Sequence, residues 1–173
     1  MNLYLIFVQS ISIIALGLFT FSFHSKTRKG ILSFQLAGLA AWFIHFYLLS
    51  AWTGAALMIV NAVITTFFLF KENKKWIDNY IFLSVSMLSL VVVTALTWQG
   101  YFSLFALFGL SSITLAKWQK TPNTIRKISV LASVFWILYD AFVGSYGGII
   151  SETIIIVSIG ISLIRVPKEK KSS

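Results

Sequence analysis

The chain has 173 residues, of which 58% are apolar and only 11% charged, and its formal net charge is +9. Soluble domains average about 25% charged residues and disorder requires low hydrophobicity, so the composition excludes both and points to an integral membrane protein. Cysteine is absent, which excludes a disulfide framework, a thiolate metal site and a thiol nucleophile.

A membrane helix needs about 20 apolar residues. Seven such stretches fit, at about 3–22, 31–49, 53–70, 78–97, 100–117, 128–143 and 147–165. Their apolar runs are continuous rather than alternating, which argues for helices over barrel strands. The first is not a cleavable signal peptide, because nothing basic precedes it and Lys26, Arg28 and Lys29 follow it. A tight turn, Ser50-Ala51-Trp52-Thr53-Gly54, separates the second span from the third. The fourth span is tinted by Ser84, Ser86, Ser89 and Thr94, residues that serve helix packing. A second tight turn, Gly144-Ser145-Tyr146-Gly147-Gly148, joins the sixth span to the seventh.

The basic residues follow spans one, three, five and seven. They form four groups: Lys26, Arg28 and Lys29; Lys71, Lys74 and Lys75; Lys117, Lys120, Arg126 and Lys127; Arg165, Lys168, Lys170 and Lys171. The loops between them carry no Lys or Arg. With seven spans, all the basic groups share one face. The positive-inside rule makes that face cytoplasmic, which puts the N-terminus outside and the C-terminus inside. The charge is then topological and needs no nucleic acid to explain it; the clusters can also hold anionic lipid. His24 lies among these charges and reads as solvated.

A gapless offset of 94 residues lays Lys26-Thr27 on Lys120-Thr121, Trp42 on Trp136, Gly54 on Gly148, Trp52 on Tyr146 and His45 on Tyr139. It maps the first three spans onto the last three. An intervening span restores the starting side, so the copies run parallel in a 3+1+3 plan. Residues 1–75 form the first triple-helix repeat, 76–98 the linker helix, and 99–173 the second repeat with its basic tail.

Several stretches carry a resemblance. Trp42-Phe43-Ile44-His45-Phe46, the Thr53-Gly54-Ala55 turn and Asn61 resemble the YgjV-type bacterial inner-membrane proteins. So does Gly144-Ser145-Tyr146-Gly147-Gly148 followed by Glu152. The likeness covers nearly the whole chain and implies a multi-pass protein of the bacterial inner membrane, without naming an activity. The 3+1+3 plan is more distantly similar to the SWEET sugar facilitators, whose pockets use aromatic and Asn side chains. Two features depart from that pattern. The prolines, Pro122 and Pro167, lie at span ends rather than within repeated helices, and the partner of Asn61 in the second copy is Ile155.

Trp52, Trp76, Trp98 and Trp118 fall at span ends, as aromatic belts do. Trp42 and Trp136 instead fall near mid-membrane at matched repeat positions. They read as walls of a solute path, or as packing groups. With Asn61 and Tyr139 they form the candidate substrate-binding set. His45, Asp140 and Glu152 cluster in the outer half as a candidate outer gate or proton-linked set, since intramembrane ionisable groups face cavities or partners. The alternatives are that His45 bonds a backbone carbonyl, Asp140 snorkels to the surface and Glu152 bonds a Ser or Thr. No catalytic or metal motif occurs, so no enzyme, cofactor or metal is expected.

The expected function is a facilitator or secondary transporter of a small polar solute, sugar-like or vitamin-like, passing between the two units. The alternative is a non-transporting inner-membrane receptor or assembly protein. The expected partners are the lipid bilayer and the solute; a homodimer stays open as an oligomeric state.

Overall fold

The computed structural model describes residues 3–165, except for the side chain of Arg165. Pro167 and the basic residues Lys168, Lys170 and Lys171 lie outside the described residues. The described chain is all helical: α1 (Leu3–His24), α2 (Arg28–Leu48), α3 (Trp52–Leu69), a 3-10 turn at Lys71–Asn73, α4 (Tyr80–Leu96), α5 (Ser103–Trp118), α6 (Pro122–Val143) and α7 (Tyr146–Arg165).

By length and composition α1, α2, α3 and α7 can each cross a membrane. The helices α4 and α5 are apolar but shorter, at 17 and 16 residues. The 22 residues of α6 include Arg126, Lys127 and Asp140. Counting apolar residues places the start of α6 at about 128, yet the helix begins at Pro122. The Thr121 hydroxyl caps it by accepting from Thr124 N, and proline occupies the first turn, where its missing N–H is harmless. The start of α2 extends in the same way, with the Thr27 hydroxyl accepting from Gly30 N at 3.1 Å.

Six helices close a ring in the order α1, α2, α3, α5, α6, α7 and back to α1. The remaining helix, α4, lies outside it against α3 and α5. It packs through Ser86, Leu90 and Thr94, one face at four-residue spacing, and exposes Ile81, Val85, Leu88 and Val92. The whole molecule shows this inversion. Ile13, Ile14, Phe21, Leu131 and Val157 face outward, while Gln35, His45, Asn61, Lys117, Arg126 and Asp140 are buried. Lipid is the medium in which such a surface is stable; soluble monomers rarely expose so much contiguous apolar area.

The two ends of the bundle differ in chemistry. At one end the loops after α1, α3 and α5 converge on basic side chains. Arg28, at the start of α2, donates to Gln119 O at 2.9 Å and Lys117 O at 2.8 Å, carbonyls at the end of α5. Arg126, in the first turns of α6, donates to Phe23 O at 3.0 Å and Ser25 O at 2.8 Å, at the end of α1. The last carbonyls of a helix lack partners within it and carry its negative dipole end. A guanidinium satisfies both needs, which is why these two arginines are buried. Lys71 donates to Trp118 O and lies 4.2 Å from the centroid of the Trp118 ring. Its ammonium, hydrogen-bonded to Asp78, holds that carboxyl below the usual carboxylate range. His24, which its position marks as solvated, is exposed but meets Ser158 Oγ at 3.1 Å and Ser162 Oγ at 3.3 Å, tying α1 to α7.

At the other end the turns are joined without Lys or Arg. Gln99 donates to Ser50 O at 2.9 Å and accepts from Thr53 N at 3.2 Å. Gln9 on α1 donates to Gly144 O at 3.0 Å and accepts from Gly147 N at 2.8 Å.

Arg126→Ala should remove the buried cap of α1 and lower stability by about 1.5–3 kcal/mol. Unfolding midpoints in detergent would register it. The exposed Lys29→Ala should stay within about 0.5 kcal/mol.

Candidate functional site

A cavity lies at the centre of the ring. It is lined by all six ring helices and by none of α4. Phe19 and Phe23 come from α1, Leu39, Trp42 and Phe46 from α2, Met58 and Asn61 from α3, and Ile113 from α5. The α6 helix adds Ser129, Ser133, Trp136 and Asp140, and α7 adds Glu152 and Ile155. About 30 Å³ of it accepts water centres, which is room for about two waters.

The two mid-helix tryptophans meet the cavity from facing helices and are joined by a third ring. Trp42 stacks on Phe46 at 5.6 Å and 21°, and Phe46 on Trp136 at 5.7 Å and 22°. The result is one continuous aromatic wall crossing from α2 to α6, with centroid separations in the favoured range for aromatic pairs. Tyr139 stands edge-on to Phe46 and Trp136. Sequence reading missed Phe46, because one Phe among 16 carries no signal until a partner faces it.

Tyr139 does not line the cavity. It is fully buried, and its hydroxyl accepts from Gly54 N at 2.9 Å, linking α6 to the first turn of α3. A Cβ at Gly54 would stand 2.9 Å from that oxygen and 3.0 Å from Phe46 Cγ, so this approach needs glycine. His45, the residue matched to Tyr139 by the 94-residue offset, makes the reciprocal link. Its Nδ1 donates to Val8 O at 2.9 Å, and its Nε2 meets Ser145 Oγ at 2.7 Å, just before α7. Thus α2 reaches the turn between α6 and α7, and α6 reaches the start of α3.

Asp140 is 1% exposed, so it does not snorkel. Its carboxyl is hydrogen-bonded to Ser145, the serine that also meets His45, so the acid and the imidazole are joined through one hydroxyl rather than directly. Glu152 is hydrogen-bonded to Ser133. A Cβ at Gly148 would lie 2.3 Å from Ser145 Oγ and 2.4 Å from Asp140 Oδ2, so a side chain there would displace this cluster. Asp140 Oδ1 and Ser129 Oγ have no hydrogen-bond partner among the described residues.

At the basic end the site contains a residue that charge grouping assigned to the surface. Lys117 is 1% exposed. Its ammonium donates to Asn61 Oδ1 at 2.7 Å and to Thr65 Oγ1 at 2.6 Å, while Thr65 Oγ1 donates to Asn61 O at 2.6 Å. Asn61 therefore lines the cavity with its amide oxygen already occupied. The signal was readable in helical spacing: Ala106, Leu110, Ile113 and Lys117 recur at three to four residues on one face of α5.

A model of bacterial inner membrane proteins, Imp-YgjV, matches residues 6–170. The chain belongs to that family. As an Imp-YgjV protein it is an inner-membrane protein of bacteria, in keeping with its apolar helices and outward-facing apolar residues. No curated protein and no solved structure matches the chain. None of these comparisons supports the likeness to the SWEET facilitators.

In this Imp-YgjV protein Tyr139→Phe should leave Gly54 N–H buried without a partner. A loss of about 1–3 kcal/mol follows, measurable as a lower unfolding midpoint in detergent with helical circular dichroism unchanged at low temperature.

Proposed function

We propose that the protein is a facilitator or secondary transporter of a small polar solute, with its path running between two triple-helix units, α1–α3 and α5–α7. The cavity carries this reading. Each ring helix contributes to its lining, the linker-like α4 does not, and both matched tryptophans border it. The pairing of helices supports the parallel repeat behind it. Exchanging α1 with α5, α2 with α6 and α3 with α7 leaves every contact of the ring in place. The links from His45 to Ser145 and from Tyr139 to Gly54 join corresponding elements, each from a second helix to the turn or helix start that follows its counterpart. So do the caps placed by Arg28 and Arg126. Alternating access is a rocking of one unit against the other, with these links breaking at one end and holding at the other.

In this reading the chain crosses the membrane seven times, with the basic end cytoplasmic and the N-terminus outside. The chain lacks cysteine, so single introduced cysteines report topology cleanly. Lys120→Cys should be protected from a membrane-impermeant thiol reagent in intact cells, and Tyr101→Cys should react; the reverse pattern would overturn the orientation.

Transport is tested by uptake of a panel of labelled sugars, nucleosides, amines and vitamin precursors into proteoliposomes. A hit should fall at least tenfold in Trp136→Ala with membrane insertion unchanged. A second reading, a non-transporting receptor or assembly protein, draws on the narrowness of the cavity and on the hydrogen bonds that lock the units together. A panel with no uptake, from protein of verified fold and orientation, would favour it.

A further inference from the structure

We infer that the solute site is selective for a monovalent organic cation, with Asp140 and Glu152 holding its charge and the Trp42–Phe46–Trp136 wall holding its apolar body. The inference rests on the reading of the central cavity as a solute site and names the chemistry of what enters it.

Three observations lead there. The first is the charge inventory of the cavity. Asp140 and Glu152 both line it, and a buried carboxylate is costly without a cation beside it. The ion pairs Arg28–Glu72, Lys71–Asp78 and Lys120–Asp78 all lie at the basic end, away from both acids. His45 reaches Asp140 only through Ser145, and the one proton of that hydroxyl serves a single partner at a time. A proton shared along His45, Ser145 and Asp140 balances one acid. Among the described residues Glu152 has the Ser133 hydroxyl and no cation beside it, so its ionised form calls for one.

The second observation is unused acceptor capacity. Asp140 and Ser129 line the cavity, and Asp140 Oδ1 and Ser129 Oγ are buried with no hydrogen-bond partner among the described residues. The acceptor capacity of Asp140 Oδ1 is thus unused. The third is the wall. Stacked aromatic faces next to carboxylates attract an organic cation through the ring quadrupole, whereas an alkali ion prefers a cage of oxygens. An anion has no purchase here. The one buried ammonium near the cavity, Lys117, is engaged by Asn61 and Thr65 and is not part of the lining.

The test is calorimetric titration of the full chain in nanodiscs, with protein-free nanodiscs subtracted. The probes are methylammonium and benzylammonium, with benzyl alcohol and benzoate as neutral and anionic controls. At least one ammonium should bind saturably, and benzyl alcohol and benzoate at least tenfold more weakly than benzylammonium. Glu152→Gln and Asp140→Asn should each weaken ammonium binding at least tenfold. The wild-type comparison of charged and neutral probes decides the matter even where a variant does not fold. Absence of binding by both ammonium probes overturns the inference. Equal binding of benzyl alcohol, or full affinity in a folded Glu152→Gln, overturns it as well. Uptake separates this from the transport reading: a neutral solute whose flux Trp136→Ala abolishes overturns the cation site and keeps transport. Ammonium binding without flux keeps the cation site and counts against transport.

Discussion

Within a bilayer no water is available to a polar group, so each one must find its partner inside the bundle. Most of the architecture follows from that constraint. Helix ends are where it presses hardest, because the last carbonyls have no partner in their own helix. Here Arg28 and Arg126 close the ends of α5 and α1, each reaching from the start of another helix. A positive side chain at a helix C-terminus also meets the dipole favourably. The same two contacts therefore cap a helix, bury a charge with its partners and fix how two neighbouring helices meet.

The polar links at the opposite end have a different consequence. His45 with Ser145 and Tyr139 with Gly54 are single hydrogen bonds, each worth about 0.5–1.5 kcal/mol net. They join segments more than 80 residues apart in sequence. Bonds of that size hold the helices they join in register. The arginine caps at the basic end involve charged donors and are stronger.

Between the two ends the cavity carries an asymmetric chemistry. Its lining combines the two carboxyls with an aromatic wall, and Asn61 is held by a buried lysine. The occupied amide oxygen of Asn61 changes its role. The oxygen fixes the Lys117 ammonium, which is not part of the lining, and the amide N–H groups are left as the donors of this side chain. The lining presents acid and aromatic surface together with the Ser129 and Ser133 hydroxyls.

The sequence by itself determined the medium, the number and order of the helices and the grouping of the charges. Those properties depend on local composition: continuous apolar runs set the helices, and Lys and Arg cluster where helices end. It also singled out Trp42, Trp136, Asn61, Asp140 and Glu152, all of which line one cavity, because a polar or bulky group out of place in lipid is visible residue by residue. Only the tertiary structure decided the partners. Phe46 joins the two tryptophans, Ser145 stands between His45 and Asp140, Tyr139 turns to a backbone N–H instead of the cavity, and Lys117 folds inward to Asn61. Each of these depends on a residue from a distant helix, and periodicity along one helix does not say what stands opposite. The physical reason is that a buried polar group is stabilised by its partner, and the partner exists only once the ring has closed.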